Sequence, residues 1–261
     1  MIKALSTAAT GMEAQETRLD VTANNIANVS TAGFKKSRAE FQDLMYQTMR
    51  APGAPTGSNS RAPAGLEVGS GVRVVSTQRM HTEGELKQTG NPLDVAIEGQ
   101  GFFAVTLAGG QTAYTRDGSL KLSTEGKLVT SDGYPLTSDI SIPPDAQSVS
   151  IGVDGTVSAT VPGDATPSEL GKIELATFAN PAGLAPMGRN LFKETAASGT
   201  PVTGQPGQDG LGTLSQGTQE LSNVKVVEEM IDLIAGQRAY EVNSRVVKAA
   251  DEMLGQTANL R

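Results

Sequence analysis

The chain has 261 residues, a formal net charge of −7, 38% hydrophobic and 4% aromatic residues, 30 Gly, and neither Trp nor Cys. The absence of Cys excludes a disulfide framework, a thiolate zinc site and a cysteine nucleophile, and the mild, dispersed acidity argues against nucleic acid or an anionic membrane surface as partner. Small residues and few aromatics suit thin β layers and helix contacts better than one thick core. The N-terminal stretch MIKALSTAATGMEAQE has one Lys and no sustained apolar run, so no cleavable signal is expected. No stretch approaches the roughly 18 apolar residues of a transmembrane helix, and no membrane insertion is expected.

Residues 2 to about 28 read as a helix. Leu5, Met12, Leu19 and Ile26 recur every seven residues, which is the seam of a helix that packs against other helices. The positions three further on, Ala8, Gln15, Thr22 and Val29, make a poor second row, so a larger bundle or layer fits better than a two-stranded zipper. Asn24, Asn25 and Asn28 crowd the end of the seam. Asn disfavours helix interiors and suits caps and turns, so the chain is expected to stop the helix and turn tightly at Thr31-Ala32-Gly33. Phe34, Phe41, Leu44, Met45 and Met49 then follow at partly helical spacing. Arg50 to Leu66 is rich in Pro and Gly and reads as a linker or extended loop.

From about Val68 to Phe178 the period changes to two. Val72, Val74 and Val75, then Leu93 to Ile97 and Phe102 to Val105, read as strands. Asp117-Gly118, Asp132-Gly133 and Asp154-Gly155 punctuate the run. The last is the clearest hairpin, with both turn positions expected at positive φ. Residues 179–217 lose periodicity and are expected to be irregular, laid over the β region or leading back to the helices. Ser222 or Asn223 is expected to cap a final helix reaching about Gln256 or further. In it Val226, Leu233, Tyr240, Val247 and Leu254 recur every seven residues, and a second row runs through Val227, Ile231, Ile234, Val242, Val246, Ala249 and Met253. A helix apolar on two faces has more than one partner. The heptads alone fit a small intramolecular antiparallel bundle as well as contacts between chains, and the second row favours assembly.

The predicted class is therefore α+β: long N- and C-terminal helices packed together, with a central antiparallel β domain inserted between them. Residues 1–45 and 218–261 form the helical part, 46–67 an extended Pro/Gly-rich segment, and 68–217 the β domain with its long irregular connection.

Catalytic constellations are not found. His81 is the one histidine and has no matching partner in sequence, so a surface position suits it best. Gly69-Ser70-Gly71 lacks the third Gly of a dinucleotide fingerprint, because Val74 stands there. Asp117, Asp132 and Asp154 sit in turn dipeptides where backbone geometry explains them. Asn28-Val29-Ser30 fits a glycosylation triplet that is common by chance. Lys35, Lys36 and Arg38 suit a solvated face or cations near a helix end rather than nucleic-acid binding.

Ala23-Asn24-Asn25-Ile26-Ala27-Asn28-Val29-Ser30-Thr31-Ala32-Gly33-Phe34-Lys35 resembles the signature of the bacterial flagellar rod, hook and hook-associated axial proteins. Ser222 to Leu260, with Gln237-Arg238-Ala239-Tyr240-Glu241, is similar to that family's C-terminal segment. Gly84-Glu85-Leu86, Asp94 to Ile97, Gly99 to Phe103 and Tyr114 to Gly118 match in the middle. Length and the inserted Tyr46 to Leu66 stretch point to the distal part of the rod, with the proximal rod and the hook as alternatives within the family. An oligomeric carbohydrate-binding β domain or enzyme is the alternative outside it. The resemblance implies no enzyme activity, cofactor or metal. It implies a helical homo-oligomer whose partners are neighbouring rod and hook proteins, the peptidoglycan-layer and outer-membrane-layer ring proteins, and the flagellar type III export apparatus, with export through that apparatus without signal cleavage. The heptad residues of both helices would carry assembly, and Asn24, Asn25, Asn28, Thr31, Gly33 and Phe34 would form the family turn.

Overall fold

The computed structural model describes residues 2–55, 61–162 and 167–259. It resolves the chain into two compact units, one drawn from Met1–Ile26, Ser37–Gln78 and Lys225–Arg261, the other from Ala27–Lys36 and Arg79–Val224. The class is α+β. Sequence reading drew its lines by segment type. Contacts group residues 37–78 with the two helices: Asn25 of the N-terminal helix bonds the Ser37 backbone, and Thr10 Oγ1 accepts from Val72 N–H. Residues 56–60 of the Pro/Gly-rich segment and the last two residues of the chain lie outside the described residues.

In the first unit, α1 (Ile2–Ala27) and α2 (Val226–Asn259) run antiparallel. Asn25 Nδ2 meets Glu229 Oε2 at 3.1 Å, and Arg18 Nη2 meets Asp232 Oδ1 at 2.7 Å. A Cβ on Gly236 would lie 3.0 Å from Leu19 Cδ2, and one on Gly11 would lie 2.9 Å from Asn243 Nδ2. Positions fall along one helix as they rise along the other. Glycine at these two points lets the helices approach closely, which outweighs its poor helix propensity. Strand β1 (Ser37–Asp43) pairs with β4 (Val72–Arg79), and β2 (Tyr46–Arg50) pairs antiparallel with β3 (Leu66–Gly69), with Tyr46 opposite Gly69. The helical spacing of Phe34 to Met49 is thus overridden. Asn25 holds the Ser37 backbone through its N–H and C=O, and tertiary pairing decides the state of so short a run. No helix among the described residues is long and apolar enough to cross a membrane.

The second unit holds β5 (Leu86–Gln88), β6 (Val95–Glu98), β7 (Phe102–Thr106), β8 (Thr112–Thr115), β9 (Lys121–Leu122), β10 (Leu128–Val129), β11 (Ser148–Ile151), β12 (Thr156–Thr160), β13 (Ser168–Lys172), β14 (Leu175–Thr177), β15 (Ala185–Gly188), β16 (Leu191–Lys193), β17 (Val202–Gly204), β18 (Thr213–Gln216) and β19 (Thr218–Glu220). A six-stranded antiparallel sheet runs β15-β16-β8-β7-β14-β17. Alternation along its strands separates two clusters. Phe103, Val105, Leu175 and Leu191 face one core, joined by Val95, Ile97, Ile151, Val157 and Leu214 from the smaller sheets. Phe102, Tyr114, Ala176 and Phe192 face an aromatic cluster with Phe178.

The stretch 179–217 is not irregular throughout. It contributes β15 to β18, each of three or four residues, too short to show a period. β15 and β16 join through Arg189 and Asn190, at φ 56 and 59, a two-residue turn with both positions left-handed. The Asp154-Gly155 hairpin joins β11 to β12, but only Gly155 takes a positive φ, 84. Gly155 N–H donates to Gly152 O at 3.0 Å while Asp154 Oδ1 accepts from Thr156 N–H at 3.2 Å. Asp117-Gly118 is no hairpin: Asp117 Oδ1 accepts from Ser119 N–H at 3.0 Å, and a Cβ on Gly118 would fall 1.7 Å from Val95 O. α2 begins beyond the expected cap because Asn223 is engaged elsewhere, accepting from Lys36 N–H and donating to Met80 O.

Candidate functional site

On α1 the heptad residues Leu5, Met12, Leu19 and Ile26 are half-buried. The fully buried positions are Ala8, Ala14, Thr22 and Asn25. The α1–α2 contact is therefore centred on small and polar groups, with the large seam residues at its flank. On α2, Leu233, Val247 and Leu254 are half-buried, whereas Val226 and Tyr240 are exposed. The second row is turned outward: Val227 is 70% exposed, Ile231 62% and Ile234 51%, with Val242, Val246 and Met253 in the same state. At 100° per residue these lie on a different side of α2 from Glu229, Asp232, Gly236 and Asn243, which meet α1. The β2–β3 hairpin adds exposed Tyr46, Met49, Leu66 and Val68, with Met45 beside it. This is far more large apolar surface than scattered exposed residues account for.

The turn residues divide between the units. In the first, Asn25 is buried and bonded, and Asn24 is exposed. In the second, Thr31 N–H donates to Asn28 O at 3.2 Å and Phe34 N–H to Thr31 O at 3.3 Å. Gly33, at φ 64, is buried, and a Cβ there would lie 2.8 Å from Arg116 C and Asp117 N. Its N–H donates to Glu220 O at 2.9 Å.

Behind this turn is a buried ion cluster. Lys35 Nζ is 2.6 Å from Glu220 Oε1, and Arg116 Nε is 2.6 Å from Glu220 Oε2, with the three side chains at most 5% exposed. Further hydrogen bonds surround the cluster. Lys35 Nζ also donates to Thr82 O, Arg116 to the carbonyls of Gly101, Ile97 and Gly99, and Gly84 N–H to Glu220 Oε1. Burial pushes Lys35 below its ordinary range despite the pull of Glu220. Burial alone would raise Glu220, but Arg116, Lys35 and the Gly84 N–H together hold it below the usual carboxylate range. Lys35 is thus no solvated surface cation. Its partner lies 185 residues away in sequence, and Glu220 carried no local pattern of its own. The only signals were the Gly-Phe-Lys and Thr-Arg-Asp-Gly motifs that hold Lys35 and Arg116.

His81 is half-buried rather than exposed. Its ring packs edge-on against Phe102 and Phe192, with centroids at 5.5 and 5.6 Å, because Met80 and Thr82 on either side are pinned by Asn223. Burial, with Lys35, Arg79 and Arg116 nearby, depresses its pKa to about 4. Nothing in this cluster resembles a nucleophile–base pair. The cluster ties residues 33–36, Arg116 and residues 220–223 into one closed network.

Three family models match: "Flagella basal body rod protein" over residues 5–35, "Flagellar hook protein FlgE/F/G D1 domain" over 96–159, and "Flagellar basal body rod FlgEFG protein C-terminal" over 215–260. The flagellar basal-body rod protein FlgG of Buchnera aphidicola subsp. Schizaphis graminum is 48% identical over 260 residues, covering 100% of both chains. The FlgG of Agrobacterium fabrum is 49% identical over 97% of each chain, and that of Bacillus subtilis 40% identical over 100% of each. With whole-length identity at this level and matches in both helical ends and the β unit, the chain belongs to the flagellar rod and hook protein family and is a structural, non-enzymatic basal-body rod protein of the FlgG type.

Proposed function

We propose that the chain assembles with copies of itself into the helical tube of the distal rod, which carries torque from the motor to the hook. The observation that carries this is the outward row Val227, Ile231, Ile234, Val242 and Val246, on a helix whose other side already meets α1. A row that α1 leaves open is matched by a different surface on the next copy, and such heterologous contacts propagate as an open helix. The seam residues Leu5, Met12, Leu19, Ile26, Leu233, Val247 and Leu254, with exposed Val226 and Tyr240, act in the same lateral contacts. The Asn24 to Phe34 turn leads the chain from this helical layer into the β unit. The hairpin around Tyr46 and Met49 adds contacts between copies.

In the family's setting the subunit is exported by the flagellar type III apparatus without signal cleavage. It adjoins other rod and hook proteins and passes within the peptidoglycan-layer and outer-membrane-layer rings. Electron microscopy of polymer grown from purified chain tests this. A straight tube with both termini lining the lumen is expected, and a closed dimer overturns it.

A further inference from the structure

We propose that residues Met80–Gly84 form an acid-sensitive strap, which holds together the places where the chain comes into and leaves the β unit and lets go when His81 takes up a proton. The strap grips both sides. Met80 N–H donates to Lys36 O at 2.9 Å, and Thr82 O accepts from Lys35 Nζ at 2.6 Å, on the incoming side. Met80 O, Thr82 O and Thr82 Oγ1 accept from Asn223 Nδ2 at 2.8, 3.2 and 2.9 Å, and Gly84 N–H donates to Glu220 Oε1 at 2.8 Å, on the outgoing side. Among these five residues only His81 places a ring in the aromatic cluster, against Phe102 and Phe192.

That seat suits a neutral ring alone. His81 Nδ1 is buried with no hydrogen-bond partner among the described residues, so a proton there would have no acceptor. The charges facing it from the packed elements are Lys35 on the incoming segment, Arg79 at the end of β4 just before it and Arg116 after β8, all cationic. Arg79 already occupies the face of Phe192, 5.2 Å from its centroid. Glu220, the acid of the neighbouring ion cluster, has both oxygens engaged by Lys35, Arg116 and Gly84. Glu83 acts on Lys35 and Glu194 on Tyr114, which stays neutral. A backbone hydrogen bond with Pro181 favours the charged ring but is outweighed. A protonated ring therefore leaves its seat. Because its neighbours Met80 and Thr82 supply the grips, departure loosens both sides together.

The full chain has one histidine, so a nuclear magnetic resonance titration of its ring is unambiguous. The ring should stay neutral until about pH 4. As it charges, hydrogen exchange at Met80 and Gly84, corrected for intrinsic rate, should rise by roughly tenfold or more, while Val105 and Tyr114 keep their protection. His81→Phe should hold the strap closed at acid pH. Titration near the ordinary value overturns the proposal, and so do strap amides that stay protected around a charged ring. Simultaneous loss of protection throughout the β core also overturns it, as does equal loss in the variant. If His81→Phe does not fold, the wild-type ring and amide titrations decide alone.

Discussion

Asn25 and Ser37 close on each other through a reciprocal pair of hydrogen bonds: Asn25 Nδ2 donates to Ser37 O, and Ser37 N–H donates to Asn25 Oδ1, each at 2.9 Å. The two residues stand twelve positions apart, and the residues between them belong largely to the β unit. One carboxamide thus sets where α1 gives way to β1, and its second N–H reaches Glu229 on α2 at 3.1 Å.

Asn25→Ala should lower the stability of the helical unit by about 2 kcal/mol, since buried polar groups left unpaired lose about 1–3 kcal/mol. Asn25→Asp should lose more. A carboxylate still accepts from Ser37 N–H, but it faces Ser37 O and Glu229 with no proton to donate. Urea unfolding of the three proteins, followed by helix content, orders them.

In the ion cluster the whole matters more than any pair. Glu220→Gln leaves Lys35 and Arg116 buried without a counter-ion and should destabilise by about 3–5 kcal/mol. Adding Lys35→Met removes the cation that burial already disfavours and should recover a clear part of that loss. Denaturant midpoints for the single and double variants measure the coupling.

Two glycines with similar backbones separate strain from crowding. Gly33 and Gly133 have φ 64 and 87. A Cβ on Gly33 would press on the Arg116–Asp117 backbone at 2.8 Å, whereas one on Gly133 meets nothing within 4 Å. Gly133→Ala should cost about 1 kcal/mol, from left-handed strain alone. Gly33→Ala should cost clearly more and lower the melting temperature of the β unit further, because backbone must move.

Much of this was legible in the sequence where a pattern was long. The repeats from Leu5 to Ile26 and from Val226 to Leu254 located both helices, and alternation around Asp154-Gly155 located a hairpin. What the repeat did not reveal is which residues are most buried on α1, because Ala8, Thr22 and Asn25 win that place by size and bonding rather than hydrophobicity. The strand at Ser37–Asp43 was hidden behind helical spacing, since its state depends on Asn25 and on pairing with Val72–Arg79. Lys35 and His81 read as surface groups because their partners Glu220, Arg116, Phe102 and Phe192 are remote in sequence.

The pH dependence of stability has a definite sign. His81 has a folded pKa of about 4 against 6.5 ordinarily, so its contribution is fully present above pH 6.5 and is lost as pH falls towards 4. The difference corresponds to about 3 kcal/mol. Glu220, held below its ordinary value, adds a further loss that begins as pH falls through the usual carboxylate range. Urea midpoints should therefore drop from pH 7 to pH 4, and His81→Phe should remove the upper part of that drop while leaving the lower part.

The outward row on α2 is the centre of the account, and Ile231→Asp with Ile234→Asp tests it most directly. Both residues are more than half exposed, so the isolated chain should keep its helix content and its unfolding midpoint within about 0.5 kcal/mol. Sedimentation of the purified chain under polymerising conditions is the deciding measurement. Wild type should pellet as tubes while the folded double variant stays in the supernatant, and a double variant that pellets as tubes like wild type would contradict the account.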